Sequence, residues 1–142
     1  MFFLKKLPTR DMVESYTKTI SKDEKDPDII LSRLNGLREA SLLIRKLDDF
    51  FAGHGLSQLR YLIMIAIDRE PERSSLSHKE IGERIDVSKP VITRTLNSMI
   101  EDGYLQSKRD KNDGRARYYS LSDQGKLKLH DLLPAYFALI KE

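Results

Sequence analysis

Five basic side chains, Lys108, Arg109, Lys111, Arg115 and Arg117, crowd around an Asp113-Gly114 pair in the stretch SKRDKNDGRARYYSL at 107–121. At the tip of a β-ribbon such like charges repel one another unless an anion neutralises them, and phosphate backbones do that well. Taken alone, the stretch is equally consistent with a solvated turn. The segment just before it adds weight. At 100° per residue, Ile92, Thr95, Leu96, Met99 and Ile100 share one side of a helix and must face a core. The other side presents Pro90, Thr93, Arg94, Asn97 and Ser98, with Ser88 and Lys89 at the same end. Arg can bridge guanine and Asn can bridge adenine when such an N-terminal half enters a major groove. Any surface helix has a polar outer face. A reading helix followed at once by a cationic ribbon, separated only by Gly103-Tyr104-Leu105, is a more specific pattern.

Those side chains need a scaffold, and the turn and cap signals supply one. Ser77 with Glu80 forms a capping box that opens a helix through Ile85. Asp86-Val87 makes a turn, and Ser88 caps the helix expected at about 89–102, with Pro90 tolerated in its first turn and Gly103 as its stop. Two helices joined this tightly suggest a helix-turn-helix. Strands at 104–109 and 116–121 flank Asn112-Asp113-Gly114, a hairpin signal, and Ser74–Ser77 can add a very short strand. Ser122 caps a last helix, which Pro134 interrupts or kinks. Upstream, a helix over 8–20 carries an Asp11/Glu14 capping box and a stripe of Met12, Val13, Tyr16 and Ile20. The connector SKDEKDPD leads to a second helix from Pro27 to about Ala52. Its apolar positions, including Ile30, Leu34, Leu37, Ile44, Leu47 and Phe51, exceed one narrow stripe and call for several neighbours, including another subunit. Helix 56–68 is nearly all core.

The chain has 142 residues, 39% of them apolar and 33% charged, which suits one small domain with helical extensions. All of its net charge of +3 sits between Lys89 and Arg117, where seven basic residues face four acidic ones. Without cysteine there is no disulfide, thiolate nucleophile or cysteine-based zinc site. His54, His78 and His130 are scattered, so no metal site is expected. No phosphate loop or nucleophile elbow appears, and nothing argues for an enzyme. The N-terminal MFFLKKLP lacks a secretory core, and the longest apolar run, at 61–67, is far below bilayer length, so a cytoplasmic location off the membrane is expected.

Residues 53–133 resemble the multiple-antibiotic-resistance-regulator (MarR) family of winged helix-turn-helix transcription factors. The resemblance is carried by LRYLIMIAI, by SHKEIGERIDVSKPVITRTLNSMIEDGYLQSKRD, by DGRARYYSLSDQGK and by LHDLLPA. The family pattern of a Ser-capped helix with Thr-Arg, then Gly-Leu, a basic wing with Asp-x-Arg, and Leu-Thr-x-x-Gly is matched in order. The matching positions are Ser88, Thr93-Arg94, Gly103-Tyr104-Leu105, Asp113-Gly114-Arg115 and Leu121 to Gly125. The resemblance implies that Arg115 enters a minor groove and that Asp113 holds the wing's shape. Many members carry a second Arg where Gly114 stands, which implies a looser grip here. It also implies a small aromatic or carboxylic effector as the one candidate ligand, with Tyr61, Tyr136 and Phe137 as possible lining. The peroxide-sensing variant needs a Cys that is absent. Family members extend the last helix further than Glu142, and the added segment 1–26 is expected to supply part of the dimer interface through helix 9–20.

The fold expected is therefore mostly α with a small antiparallel β wing (α+β), a winged helix-turn-helix with helical dimerisation extensions. Residues 1–52 and 122–142 would serve dimerisation and 53–121 would bind DNA. The expected function is a sequence-specific regulator of transcription, bound as a homodimer to double-stranded DNA. Reading helices would sit about 34 Å apart on a pseudo-palindrome. Thr93, Arg94 and Asn97 would read bases, with Ser88, Lys89 and Pro90 at the same end. Lys108, Arg109, Lys111 and Arg117 would attract mostly phosphates. The alternatives are a winged-helix protein-interaction adaptor and a nonspecific nucleic-acid-binding protein.

Overall fold

Gly103 shows how local chemistry shapes this fold. Its φ of +84° lies in the left-handed region that favours glycine. There it donates its N–H to the Ile100 carbonyl at 3.0 Å, while Tyr104 donates to Met99 at 2.9 Å. This Schellman stop ends a helix and aims the chain into a strand. The computed structural model describes residues 4–20, 23 and 25–142. Its elements run α1 (Arg10–Thr17), α2 (Asp26–Gly53), α3 (Gln58–Asp68), β1 (Ser75–Ser77), α4 (His78–Arg84), α5 (Lys89–Glu101), β2 (Leu105–Arg109), β3 (Arg117–Leu121) and α6 (Asp123–Lys141). The mostly helical chain with one small antiparallel sheet is the expected α+β winged helix. The chain divides into two compact units, Met1–Leu47 and Asp48–Glu142.

In the first unit α1 is shorter than expected and starts differently. Thr9, in extended conformation, is its N-cap and accepts from the Met12 N–H at 3.3 Å. The Asp11/Glu14 box does not form, because with Thr9 as cap the third helical position is Met12. Glu14 instead pairs with Arg10 at 3.1 Å and Lys18 at 3.5 Å. The helix stops at Thr17, where hydroxyls compete for its backbone: Ser15, Thr17 and Thr19 each donate to the carbonyl three residues back. Of the expected stripe only Val13 is buried, and Met12, Tyr16 and Ile20 stay exposed. Ile30, Leu37 and Ile44 of α2 are likewise exposed. Part of the connector (residues 21, 22 and 24) lies outside the described residues.

The second unit holds the core. β3 is central in a three-stranded antiparallel sheet of order β1-β3-β2, with Leu76 opposite Tyr119 and Leu105 opposite Leu121. Ile63, Met64 and Ile67 of α3 are fully buried, as are Ile81 of α4 and Leu96 and Met99 of α5. Phe51 stacks on Tyr61 at 4.9 Å, and Tyr61 meets Tyr136 at 4.5 Å. Tyr61 is 2% exposed and serves as core; its burial, with Tyr136 beside it, pushes the phenol pKa up. Pro134 does not interrupt the last helix: α6 continues through it to Lys141. Leu129 and Leu132 on the preceding turns are buried, so packing holds the helix together despite the missing N–H. Where α6 begins, Gly125 is obligatory, since a Cβ there would sit 2.2 Å from the Tyr104 carbonyl oxygen. Ser122 caps this helix by accepting from the Gly125 N–H at 3.0 Å and donates its hydroxyl to Gly103, which fastens α6 to the start of the wing.

Candidate nucleic-acid interface

The pair of helices that presents the reading face is built from its first turn. Ser77 and Glu80 form the expected capping box, with the Glu80 carboxylate also gripped by Arg73. That grip, with the Ser77 backbone and hydroxyl bonds, lowers the Glu80 pKa to about 2. Across the turn, Ser88 occupies the N-cap of α5 with extended backbone, but its side chain makes no capping bond. Capping there departs from expectation in mechanism only. Pro90 takes a first-turn position whose N–H would be unpaired in any helix, and Ser88 contributes its carbonyl to Ile92 at 3.1 Å.

The core side of α5 follows the predicted period, with Ile92, Leu96 and Met99 buried. On the other side Lys89, Pro90, Thr93, Arg94 and Asn97 are exposed. Ser98 does not belong with them. It is half-buried, donates to the Thr95 carbonyl at 3.0 Å and accepts from Arg60 Nη2 at 2.8 Å. The same guanidinium reaches Asp102 at 2.7 Å, so Arg60 of α3 clamps the far end of α5. Periodicity could not reveal this, because the Arg60 partner lies on another helix.

The wing is the expected hairpin with a long loop. β2 and β3 are joined by residues 110–116, closed by the Asp110 N–H on the Ala116 carbonyl at 2.9 Å. The loop falls where the sequence places the turn between the two strands, and Gly114 has no positive φ. Two Asx turns shape the loop: Asp110 accepts from the Asn112 N–H at 3.0 Å and Asp113 from the Arg115 N–H at 3.1 Å. Lys108, Arg109, Lys111, Arg115 and Arg117 are all exposed, and none pairs with a carboxylate among the described residues. Arg109 and Arg117 stand directly opposite each other across the ribbon.

Helix and ribbon share one surface. A groove of about 750 Å³ runs between them, with Lys89 and Thr93 on the helix side and Arg115 and Arg117 on the wing side. Arg94, Asn97, Lys108, Arg109 and Lys111 lie outside its lining. Sequence reasoning missed His78 and Lys79, which also line it, and the His78 Nε2 contact to Thr93 Oγ1 at 2.9 Å. Their place at the start of a basic helix-turn-helix was the available signal; the contact itself depends on how α4 crosses α5.

A family model described as the MarR family matches residues 54–116. The HTH-type transcriptional repressor YetL of Bacillus subtilis is 27% identical over 139 residues, covering 96% of this chain and 80% of that protein. Among solved structures, Sco3205 of Streptomyces coelicolor, a MarR family regulator in complex with DNA, superposes with a TM-score of 0.74 at 18% identity, over 78% of this chain and 72% of that one. AbsC from the same organism gives 0.75 at 17% identity, over 85% and 80%. Motif order, winged-helix geometry and these likenesses agree: residues 54–116 match the MarR family model, and the fold is that of the MarR-family winged-helix structures.

Proposed function

We propose that this protein regulates transcription by binding double-stranded DNA at specific sequences, with α5 in a major groove and the wing in the neighbouring minor groove. The observation that carries this reading is the shared groove, whose helix side offers Lys89 and Thr93 and whose wing side offers Arg115 and Arg117, with no carboxylate among the described residues pairing with the wing cations. Cations left unpaired and set against one another favour a polyanionic ligand. Thr93, Arg94 and Asn97 then read base edges, Arg115 enters the minor groove, and Lys108, Arg109, Lys111 and Arg117 hold phosphates. Asp113, by fixing the Arg115 backbone, sets the angle of that entry. The family bond and the DNA complex of Sco3205 support the same reading.

The working species in this reading is a homodimer. Met12, Tyr16, Ile30, Leu37 and Ile44 of the first unit are exposed apolar side chains, which a second copy would cover. Selection of bound duplexes from a random pool tests the proposal. A palindrome with half-sites about one helical turn apart supports it. Binding that random competitor duplex displaces as readily as the selected site points to a nonspecific binder, since specific complexes resist by about a thousandfold.

A further inference from the structure

Thr93 stands in the middle of the reading face, yet its hydroxyl is occupied within the protein. Oγ1 donates its one hydrogen to the Lys89 carbonyl oxygen at 3.1 Å, a turn back along α5. The same oxygen lies 2.9 Å from His78 Nε2. With the hydroxyl hydrogen already committed, Oγ1 can only accept from the imidazole, so Nε2 carries a hydrogen and donates it. His78 in turn is held at the first position of α4, directly after the Ser77 cap, whose box with Glu80 is braced by Arg73. The imidazole is thus fixed from one helix and fixes a side chain on the other.

The consequence concerns which chemistry Thr93 can offer to a base. A free threonine hydroxyl can donate to guanine or thymine oxygens and to purine N7, and can accept from amino groups. Here the donor is used and one of the two lone pairs is filled. What remains free is one acceptor lone pair and the Cγ2 methyl, whose partner in a major groove is the thymine 5-methyl group. We propose that His78 is a specificity-determining residue. By holding the Thr93 hydroxyl, it makes Thr93 a reader of thymine methyl groups instead of a hydrogen-bond donor to base oxygens and N7. His78 acts here through Thr93, as a positioning residue. The proposal rests on the DNA-binding reading above.

The test uses the full chain and the duplex recovered by selection, with each thymine of a half-site replaced in turn by uracil, which removes only the 5-methyl group. At the thymine facing Thr93, the wild type should lose about fourfold in affinity, the weight of one buried methyl. Thr93→Val keeps the methyl and should keep the discrimination, whereas Thr93→Ser should abolish it. His78→Ala should shrink the thymine-to-uracil ratio by releasing the hydroxyl, and His78→Gln, which restores an N–H donor, should recover much of it. That ratio compares two duplexes on one protein, so lost stability alone does not move it. Equal binding of thymine and uracil duplexes at every position by a wild type that still selects a defined site overturns the proposal. So does an unchanged ratio in His78→Ala or in Thr93→Ser. A wild type that selects no defined duplex instead brings down the DNA-binding reading, and this inference with it.

Discussion

Arginine is used in two opposite ways within the Asp48–Glu142 unit. Behind the reading face Arg60 reaches Asp102 and Ser98, Arg73 grips Glu80, and Arg84 reaches Glu70 at 2.9 Å. Each of these guanidinium groups ties one element to another. On the wing, Arg109, Arg115 and Arg117 pair with no carboxylate among the described residues, and two of them face each other across the strands. Like charges directly opposite on a sheet are destabilising. The first set strengthens the fold; the second weakens it and is arranged for something the chain does not itself contain. One residue type carries both roles, so composition alone could not separate them, while partner geometry does.

The comparison breaks first if the seat of the wing is disturbed. Gly125→Ala drives a Cβ into the Tyr104 carbonyl, a clash with backbone that cannot be relieved by a rotamer change. A loss of about 3 kcal/mol is expected from urea unfolding, with DNA binding falling in parallel because α6 no longer fastens to the wing. Next in size is Arg60→Ala. Its side chain is 20% exposed and makes two charge-assisted bonds, so about 1.5 kcal/mol should be lost. Its effect on DNA should come through a loosened α5, leaving the salt dependence of binding unchanged. A changed salt slope for Arg60→Ala would move that residue into the unpaired set.

Much of this arrangement was legible beforehand for identifiable reasons. Ile92, Leu96 and Met99 announce a buried face because helical period is a property of the chain itself, and Ser77 with Glu80 announces a helix start because capping is local. What failed depended on choices between near neighbours or on distant partners. Thr9 outcompeted Asp11 as a cap, and Ser98 was drawn inward by Arg60. The wing cations could be named from sequence, but their sharing of a groove with Lys89 and Thr93 depends on how the ribbon folds against α4 and α5.

Arg115→Ala reverses the behaviour of Arg60→Ala. Stability should stay within about 0.5 kcal/mol of wild type, as for exposed positions generally. Affinity for the selected duplex should drop about tenfold, the salt slope should shrink by about 0.9 if Arg115 neutralises one phosphate, and preference for A·T pairs at the site's flanks should fade. Unchanged affinity at moderate salt would remove Arg115 from the interface. Arg117→Gln sharpens the contrast further, because it relieves the repulsion with Arg109. It should raise stability by about 0.5 kcal/mol while weakening DNA binding, and a thermal melt beside a titration reads both.

The smallest expected effect tests the paired set through pH. Glu80 titrates at about 2 in the folded chain, held down chiefly by Arg73. In an unfolded chain a glutamate titrates at about 4.3. A depressed folded pKa means that the unfolded state binds the proton first as pH falls, so the contribution is fully present above about 4.3 and is lost progressively towards 2. The ion pair is partly open to water, with Arg73 47% exposed, so screening leaves less than about 1 kcal/mol of the nominal effect. Urea midpoints between pH 5 and 2.5 should therefore fall slightly more steeply for the wild type than for Glu80→Gln. Arg73→Gln should flatten the profile in the same way, since it removes the same partner, whereas Arg117→Gln should leave the pH slope untouched because no carboxylate among the described residues pairs with that side chain. Equal slopes in the wild type and Glu80→Gln would mean that the Arg73 grip gives α4 no measurable support, and the division between cations that brace and cations that wait would then rest on Arg60 and Arg84.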